Sequence, residues 1–227
     1  MDLVKSSAKK ARQHTVYKNA AGKRVPGVTT ITGVMDKPAL VAWANRIGLE
    51  GIQVREYVDD LATIGTLAHA IVQNHIEKQI DPATPDMNYD DYTANQRSLA
   101  ENAVIKFFDW ESANKVKYIA SELQMVSEKY QYGGTCDILA ELDGKLTLVD
   151  LKTCKGIYTE MITQLAGYEM ALQENGHKIV ARGILRIGRD EEEGFEWKPV
   201  LNMDLHRKRF VCCRNLYELN ALIRKAK

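Results

Sequence analysis

Residues 132–153, YGGTCDILAELDGKLTLVDLKT, constrain the fold more than any other stretch of this chain. Two apolar runs flank Asp143-Gly144, and a tight type I′ hairpin turn needs positive φ at both central positions, which Asp-Gly tolerates. Register follows from that turn: Leu142 faces Lys145, Glu141 faces Leu146, and Asp137 faces Asp150. Directly opposed residues share a face with Cβ atoms about 5 Å apart, and Lys152, two residues beyond Asp150, points the same way. Two carboxylates and an ammonium are therefore expected at one spot. Like charges at that spacing repel by roughly 3 kcal/mol at an effective dielectric constant near 20. A shared proton, the lysine or a divalent cation could each offset the repulsion, and an internal network of Asp137, Asp150 and Lys152 is the plainest arrangement. Buried ion pairs seldom recover their desolvation, so a hard divalent cation on oxygen ligands fits better.

Around this hairpin the pattern alternates between helical and strand periods. YKNAAGKRVPGVTTI (17–31) reads as a short hairpin with Gly22 in its turn and Pro26 ending the pattern. Helices are expected at about 37–48, 59–79 and 90–114, with Asp81, Pro82 and Pro85 breaking the chain between the last two. Strands follow at about 117–127, 131–142 and 145–152, then a helix at 158–175, strands near 178–188 and 195–200, and a last helix at 203–225. Three consecutive strands imply an antiparallel meander, and the strand–helix–strand passage permits a parallel crossover. The expected fold class is α/β, a central mixed β-sheet flanked by helices with an N-terminal helical region. No linker divides the chain. One domain over 1–227 is expected, with a hairpin and helical part (1–115), a sheet core (116–200) and a C-terminal helix (201–227).

Further polar candidates surround the aspartates. If 118–134 forms a second hairpin turning near Glu128-Lys129, Glu122 lands opposite Thr135 and diagonal to Asp137. GTLAHAIVQNHI places Gly65, Ala68, His69 and Val72 on one helical stripe, where small neighbours allow close approach of another element. A histidine in such a stripe is more often a satisfied core residue than a ligand; as a ligand it would bias a carboxylate site from Mg²⁺ towards Mn²⁺. Gln164 and Tyr168 stand at i and i+4 on the next helix.

Charge narrows the class. The net +1 conceals seven Lys/Arg against one acid over residues 1–30 and eight against two over 198–227, which leaves an acidic middle. Basic ends around an acidic centre fit polyanion binding beside a carboxylate metal site, and fit ordinary solvated faces as well. With 45% hydrophobic residues and no apolar run of about twenty, a membrane span is not expected. The opening MDLVKSSAKKARQ lacks a secretory apolar stretch, so a cytoplasmic protein is expected. Cys136, Cys154, Cys212 and Cys213 show no CxxC spacing and read as buried apolar residues.

Asp137 after Gly133-Gly134, the triplet Asp150-Leu151-Lys152, and Gln164-x-x-x-Tyr168 resemble the PD-(D/E)xK nuclease superfamily, and more narrowly its RecB-like exonuclease branch, phage members included. Gly65-x-x-x-His69 and Glu122 ahead of the Gly-Gly pair match that branch. VPGVTTITGVMDKPALVAWANRIG is similar to the leading region of mitochondrial genome maintenance exonucleases through Pro26, Val28, Thr29, Leu40 and Trp43, with Gly27 replacing a serine. The resemblance spans about residues 24–170.

It implies a restriction-endonuclease-like core and a metal-dependent DNA exonuclease acting without sequence preference on single-stranded DNA or DNA ends. His69, Asp137, Asp150 and the Leu151 carbonyl would bind Mg²⁺ or Mn²⁺, with Glu122 at a second ion or through water. Lys152 would be catalytic, and Gln164 and Tyr168 would hold Lys152 or the DNA backbone. Lys9, Lys10 and Arg12, with Arg207, Lys208 and Arg209, would track phosphates. No iron–sulfur cluster is expected, because Cys136 and Cys154 lie within the catalytic hairpin. Any recombination or replication partner would be a separate chain, and a phage origin would put the protein in host cytoplasm. A double-strand exonuclease, a structure-specific endonuclease and a non-catalytic DNA-binding or assembly protein are the alternatives.

Overall fold

A computed structural model describes residues 15–226. Lys9, Lys10 and Arg12 lie outside the described residues. The chain opens with the expected hairpin, β1 (Tyr17–Lys18) and β2 (Arg24–Val25), closed through Gly22 at φ 75°. Next comes α1 (Val28–Thr32), which the sequence pattern places at the end of the hairpin region. Its β-branched residues favour strand, but Val28 and Ile31, one turn apart, are both buried, and that packing decides the conformation.

Three helices follow: α2 (Pro38–Leu49), α3 (Val54–Ile80) and α4 (Ala94–Ala113). The start of α4 is later than its apolar period indicates. Thr93 accepts the Gln96 backbone N–H at 3.2 Å while the Gln96 side chain accepts the Thr93 N–H at 3.1 Å, a reciprocal cap that fixes the first turn. The sheet comprises β3 (Val116–Ser127), β4 (Tyr132–Leu142), β5 (Lys145–Lys152), β6 (Ala181–Ile187) and β7 (Phe195–Pro199), hydrogen-bonded in that order. All neighbours are antiparallel except β5 and β6, which run parallel because α5 (Thr159–Glu174) crosses between them. Helix α6 (Asp204–Lys225) completes the chain. The mixed α/β sheet flanked by helices is the architecture expected.

Each face of the sheet buries its own core. Leu139 and Leu148 pack with Leu165 of α5, Phe210 of α6 and Val28 and Ile31 of α1; Ile138, Val149 and Leu151 pack with Leu67 of α3 and Phe107 of α4. Each fully buried leucine or phenylalanine contributes about 1.5–3 kcal/mol.

The β4–β5 register is the expected one from Leu142–Lys145 through Ile138–Val149, with Asp143 and Gly144 at φ 49° and 74°. The β3–β4 register is not. Gln124, rather than Glu122, pairs with Thr135, because the turn is placed so that Ser127 pairs with Tyr132. The shift is two residues.

Besides a one-residue register shift between Tyr118 and Ala120, these strands carry a second irregularity. Cys136 belongs to the α5-side core and Ile138 to the α3-side core, although residues two apart in a regular strand share a face. On β3, Leu123 and Ala120, three apart, pack on the same α5 side. Between the Leu123–Cys136 and Ser121–Ile138 pairs lie Glu122, at φ 49°, and Asp137. The pleat reverses at those two acids.

Candidate active site

At the reversal, Asp137 escapes the alternation that would commit it to a core face. The β4–β5 ladder ends at Ile138–Val149, and the Leu151 N–H donates instead to Asp137 Oδ2 at 2.8 Å. Glu122 holds a left-handed backbone, which costs a non-glycine residue on the order of 1–3 kcal/mol and persists only where surrounding structure dictates it. From α3, His69 brings Nδ1 to 3.7 Å from Asp137 Oδ1. Close approach of that helix depends on Gly65: a Cβ there would lie 2.5 Å from Thr153 Oγ1, just beyond β5. Ligand atoms of His69, Glu122 and Asp137 all lie within 4.8 Å of one another.

Asp150 and Lys152 occupy the α5 side of β5, in step with Leu148. Lys152 Nζ lies 2.5 Å from Asp150 Oδ2, while Asp150 Oδ1 has no hydrogen-bond partner, and Asp150 is 1% exposed. Burial pushes the Asp150 carboxyl up to about 6 against the opposing pull of Lys152, and Asp137 adds to the rise. Burial disfavours the Lys152 ammonium, but the charges of Asp150 and Asp137 outweigh it and raise the pKa. Lys152 is a committed cation.

Across the cleft, Gln164 Nε2 donates to Tyr168 Oη at 2.9 Å. Burial, followed by the charges of Asp150 and Asp137, holds the Tyr168 hydroxyl protonated far above its usual range. Gly134 makes this proximity possible, since a Cβ would come within 2.9 Å of the Tyr168 ring and 3.0 Å of Val28. Its neighbour Gly133 serves the N-terminal hairpin. A Cβ at Gly133 would stand 2.2 Å from Tyr17 Cγ, the Gly133 N–H donates to Pro26 O at 2.9 Å, and Tyr17 Oη lies 2.7 Å from Thr135 Oγ1. The hairpin thereby walls a cleft of about 1050 Å³ that also reaches His69, Glu122, Asp137, Lys152 and Gln164.

The structure brings His69, Glu122 and Asp137 into one group and Asp150 with Lys152 into an adjoining pair; Asp150 is not a member of the first group. Gln164 and Tyr168 share the cleft, bonded to each other. Arg207 is not a free phosphate contact: its guanidinium pairs with the buried Glu169 at 2.9 Å and with Asp204 at 3.1 Å. Cys136 and Cys213 are buried as expected, but Cys154 is half-buried and Cys212 is exposed on α6, and none of the four is in a disulfide. Tyr17, Thr135 and Thr153 are site neighbours that pattern reading misses. The adjacent glycines inside a strand signal a close approach without naming what approaches.

Two carboxylates and an imidazole with ligand atoms within 4.8 Å of one another, beside a buried carboxylate whose Oδ1 has no partner, fit a hard divalent cation. Among the described residues no helix is long and apolar enough to cross a membrane.

No protein-family model and no curated protein matches the chain. Among solved structures it is similar to an alkaline exonuclease, LHK-Exo, from Laribacter hongkongensis, at 14% identity and TM-score 0.42, covering 88% of this chain and 92% of that one. The same exonuclease in complex with dAMP matches at 12% identity and TM-score 0.38, over 74% and 90% of the two chains. A protein from Eubacterium rectale, named as a candidate exonuclease, matches at 12% and 0.46, over 70% and 66%. At these levels the chemistry rests on the residues of this chain.

Proposed function

We propose that the chain is a divalent-metal-dependent DNA exonuclease that hydrolyses phosphodiester bonds of single-stranded DNA or DNA ends with little sequence preference, in phage-type replication, recombination or repair. The observation that carries this reading is the pleat reversal at Glu122 and Asp137, which gathers both acids with His69 beside the Asp150–Lys152 pair. Carboxylates with a single imidazole suit Mg²⁺ or Mn²⁺, the imidazole favouring Mn²⁺. His69, Glu122 and Asp137 would hold the ion, and the Asp150 carboxylate and Leu151 carbonyl are the adjoining oxygen donors. When bound, such an ion supplies a polarised phosphoryl oxygen and a water of lowered pKa.

The chain's own groups do the rest. Lys152, kept charged by Asp150 and Asp137, offsets negative charge building on a phosphate that enters the cleft. A compact ammonium suits that task better than a planar guanidinium. The Asp137 carboxylate, fixed by the Leu151 N–H, keeps β4 and β5 in register where their ladder ends. Tyr168, neutral at any working pH, and Gln164 offer hydrogen bonds to the sugar–phosphate backbone on the cleft wall. Arg24, exposed on the hairpin side of the same cleft, adds a phosphate contact and with it salt sensitivity.

Replacing Lys152 with Ala and assaying end-labelled DNA with Mg²⁺ or Mn²⁺ tests the assignment. Degradation should fall by about a hundredfold or more, and undiminished degradation refutes it. Circular single-stranded DNA should remain intact; its cleavage would make the enzyme an endonuclease.

A further inference from the structure

Beside the cleft lies a second cavity of about 450 Å³, walled by Leu40 and Trp43 of α2 and by Val58 and Leu61 of α3. His69 and Cys154 line both spaces, so the two adjoin at the His69 side of the acidic group. We infer that this cavity receives one unpaired nucleobase of the DNA end whose phosphate is cleaved, and that Trp43 selects single-stranded ends; this rests on the nuclease reading above.

The cavity's chemistry favours a base over a phosphate. Its one Lys or Arg is Arg189, whose Nε donates to Glu193 Oε2 at 2.8 Å and whose terminal nitrogen pairs with Glu193 Oε1. Both partners are buried, so that charge is already matched. The polar side chains Thr66, His69, Thr153 and Cys154 lie on the side shared with the cleft, and the rest of the wall offers methyl groups and one indole, which gain from a flat aromatic partner and give nothing to an anion. Trp43 is braced for this role by Tyr57, with ring centroids 6.1 Å apart and planes inclined by 33°. Leu40, 53% exposed, is a large apolar side chain left open at this cavity. A paired end must break its terminal pair before a base can enter, whereas a single strand enters without that cost. Stacking tolerates every base, in keeping with weak sequence preference.

The test is binding in Ca²⁺, which separates it from turnover. Fluorescence anisotropy compares a labelled oligothymidylate with an abasic deoxyribose–phosphate chain of equal length. The wild type should bind the base-bearing strand roughly five- to a hundredfold more tightly, Trp43→Ala should remove most of that gap, and Trp43→Phe should keep part of it. Leu40→Ser, at an exposed position, should narrow the gap as well and covers the case in which Trp43→Ala unfolds. Equal wild-type affinities, or a gap unchanged in folded Trp43→Ala and Leu40→Ser, overturn the inference. Either result leaves the Lys152→Ala cleavage assay to judge the nuclease reading separately.

Discussion

Asp150 should make the metal-free protein more stable as the solution is acidified, and Asp150→Asn should abolish that gain. The folded-state carboxyl sits at about 6 against an ordinary 3.8, because burial penalises its charge more than Lys152 compensates. Between those values the native state binds the proton that the unfolded chain releases, so stability falls as pH rises through the window and levels off above it. A difference of about two pH units corresponds to about 3 kcal/mol as a ceiling, at 1.36 kcal/mol per unit. Urea unfolding in EDTA at a series of pH values from about 4 to 8, on the wild type and Asp150→Asn, isolates the contribution as the difference between the two curves. Lys152 titrates above this range and does not contribute to the slope. Parallel curves would show that Asp150 ionises as easily folded as unfolded, and the picture of a buried, under-satisfied carboxylate beside His69, Glu122 and Asp137 would fail.

Gly133→Ala should force Tyr17 off β4, an overpacking cost of about 1–3 kcal/mol, and adding Tyr17→Ala should recover stability less than additively, as thermal melts of the double-mutant cycle would show. Glu193→Gln leaves the buried Arg189 without its counter-ion and should cost about 3–5 kcal/mol in denaturant unfolding at neutral pH. Burial acts to raise the Glu193 carboxyl, but Arg189 outweighs it and the pKa is lowered, so the wild type's advantage is present above the ordinary carboxylate range and shrinks as pH falls through the depressed value. An advantage that instead grows on acidification would contradict that pairing.

Much of this geometry was legible because local chemistry fixes it. Asp143-Gly144 takes positive φ at both positions and sets the β4–β5 register by itself. The turn at 128–131 has no such signature: Gln131 takes φ 53°, while Ser127 and Lys129 are fastened to Glu174 of α5, 45 or more residues away, so its register escapes a local reading. Helix α1 escapes for the same reason, since strand-favouring residues are overruled by burial against α5 and α6. The pleat reversal is hidden because apolar residues lie on both faces of β4, so a change of face leaves no break in the pattern. Gly65 and His69 are readable as a close-packing stripe, but that Thr153 is what Gly65 admits depends on tertiary contact.

The central claim is that Glu122, Asp137 and His69 meet at the reversal to hold a divalent cation. Crystals soaked in MnCl₂ and measured at the manganese absorption edge should show an anomalous peak bounded by those three side chains, and lose it in Asp137→Asn. A peak elsewhere, or none in well-occupied soaks of the wild type, would contradict the claim.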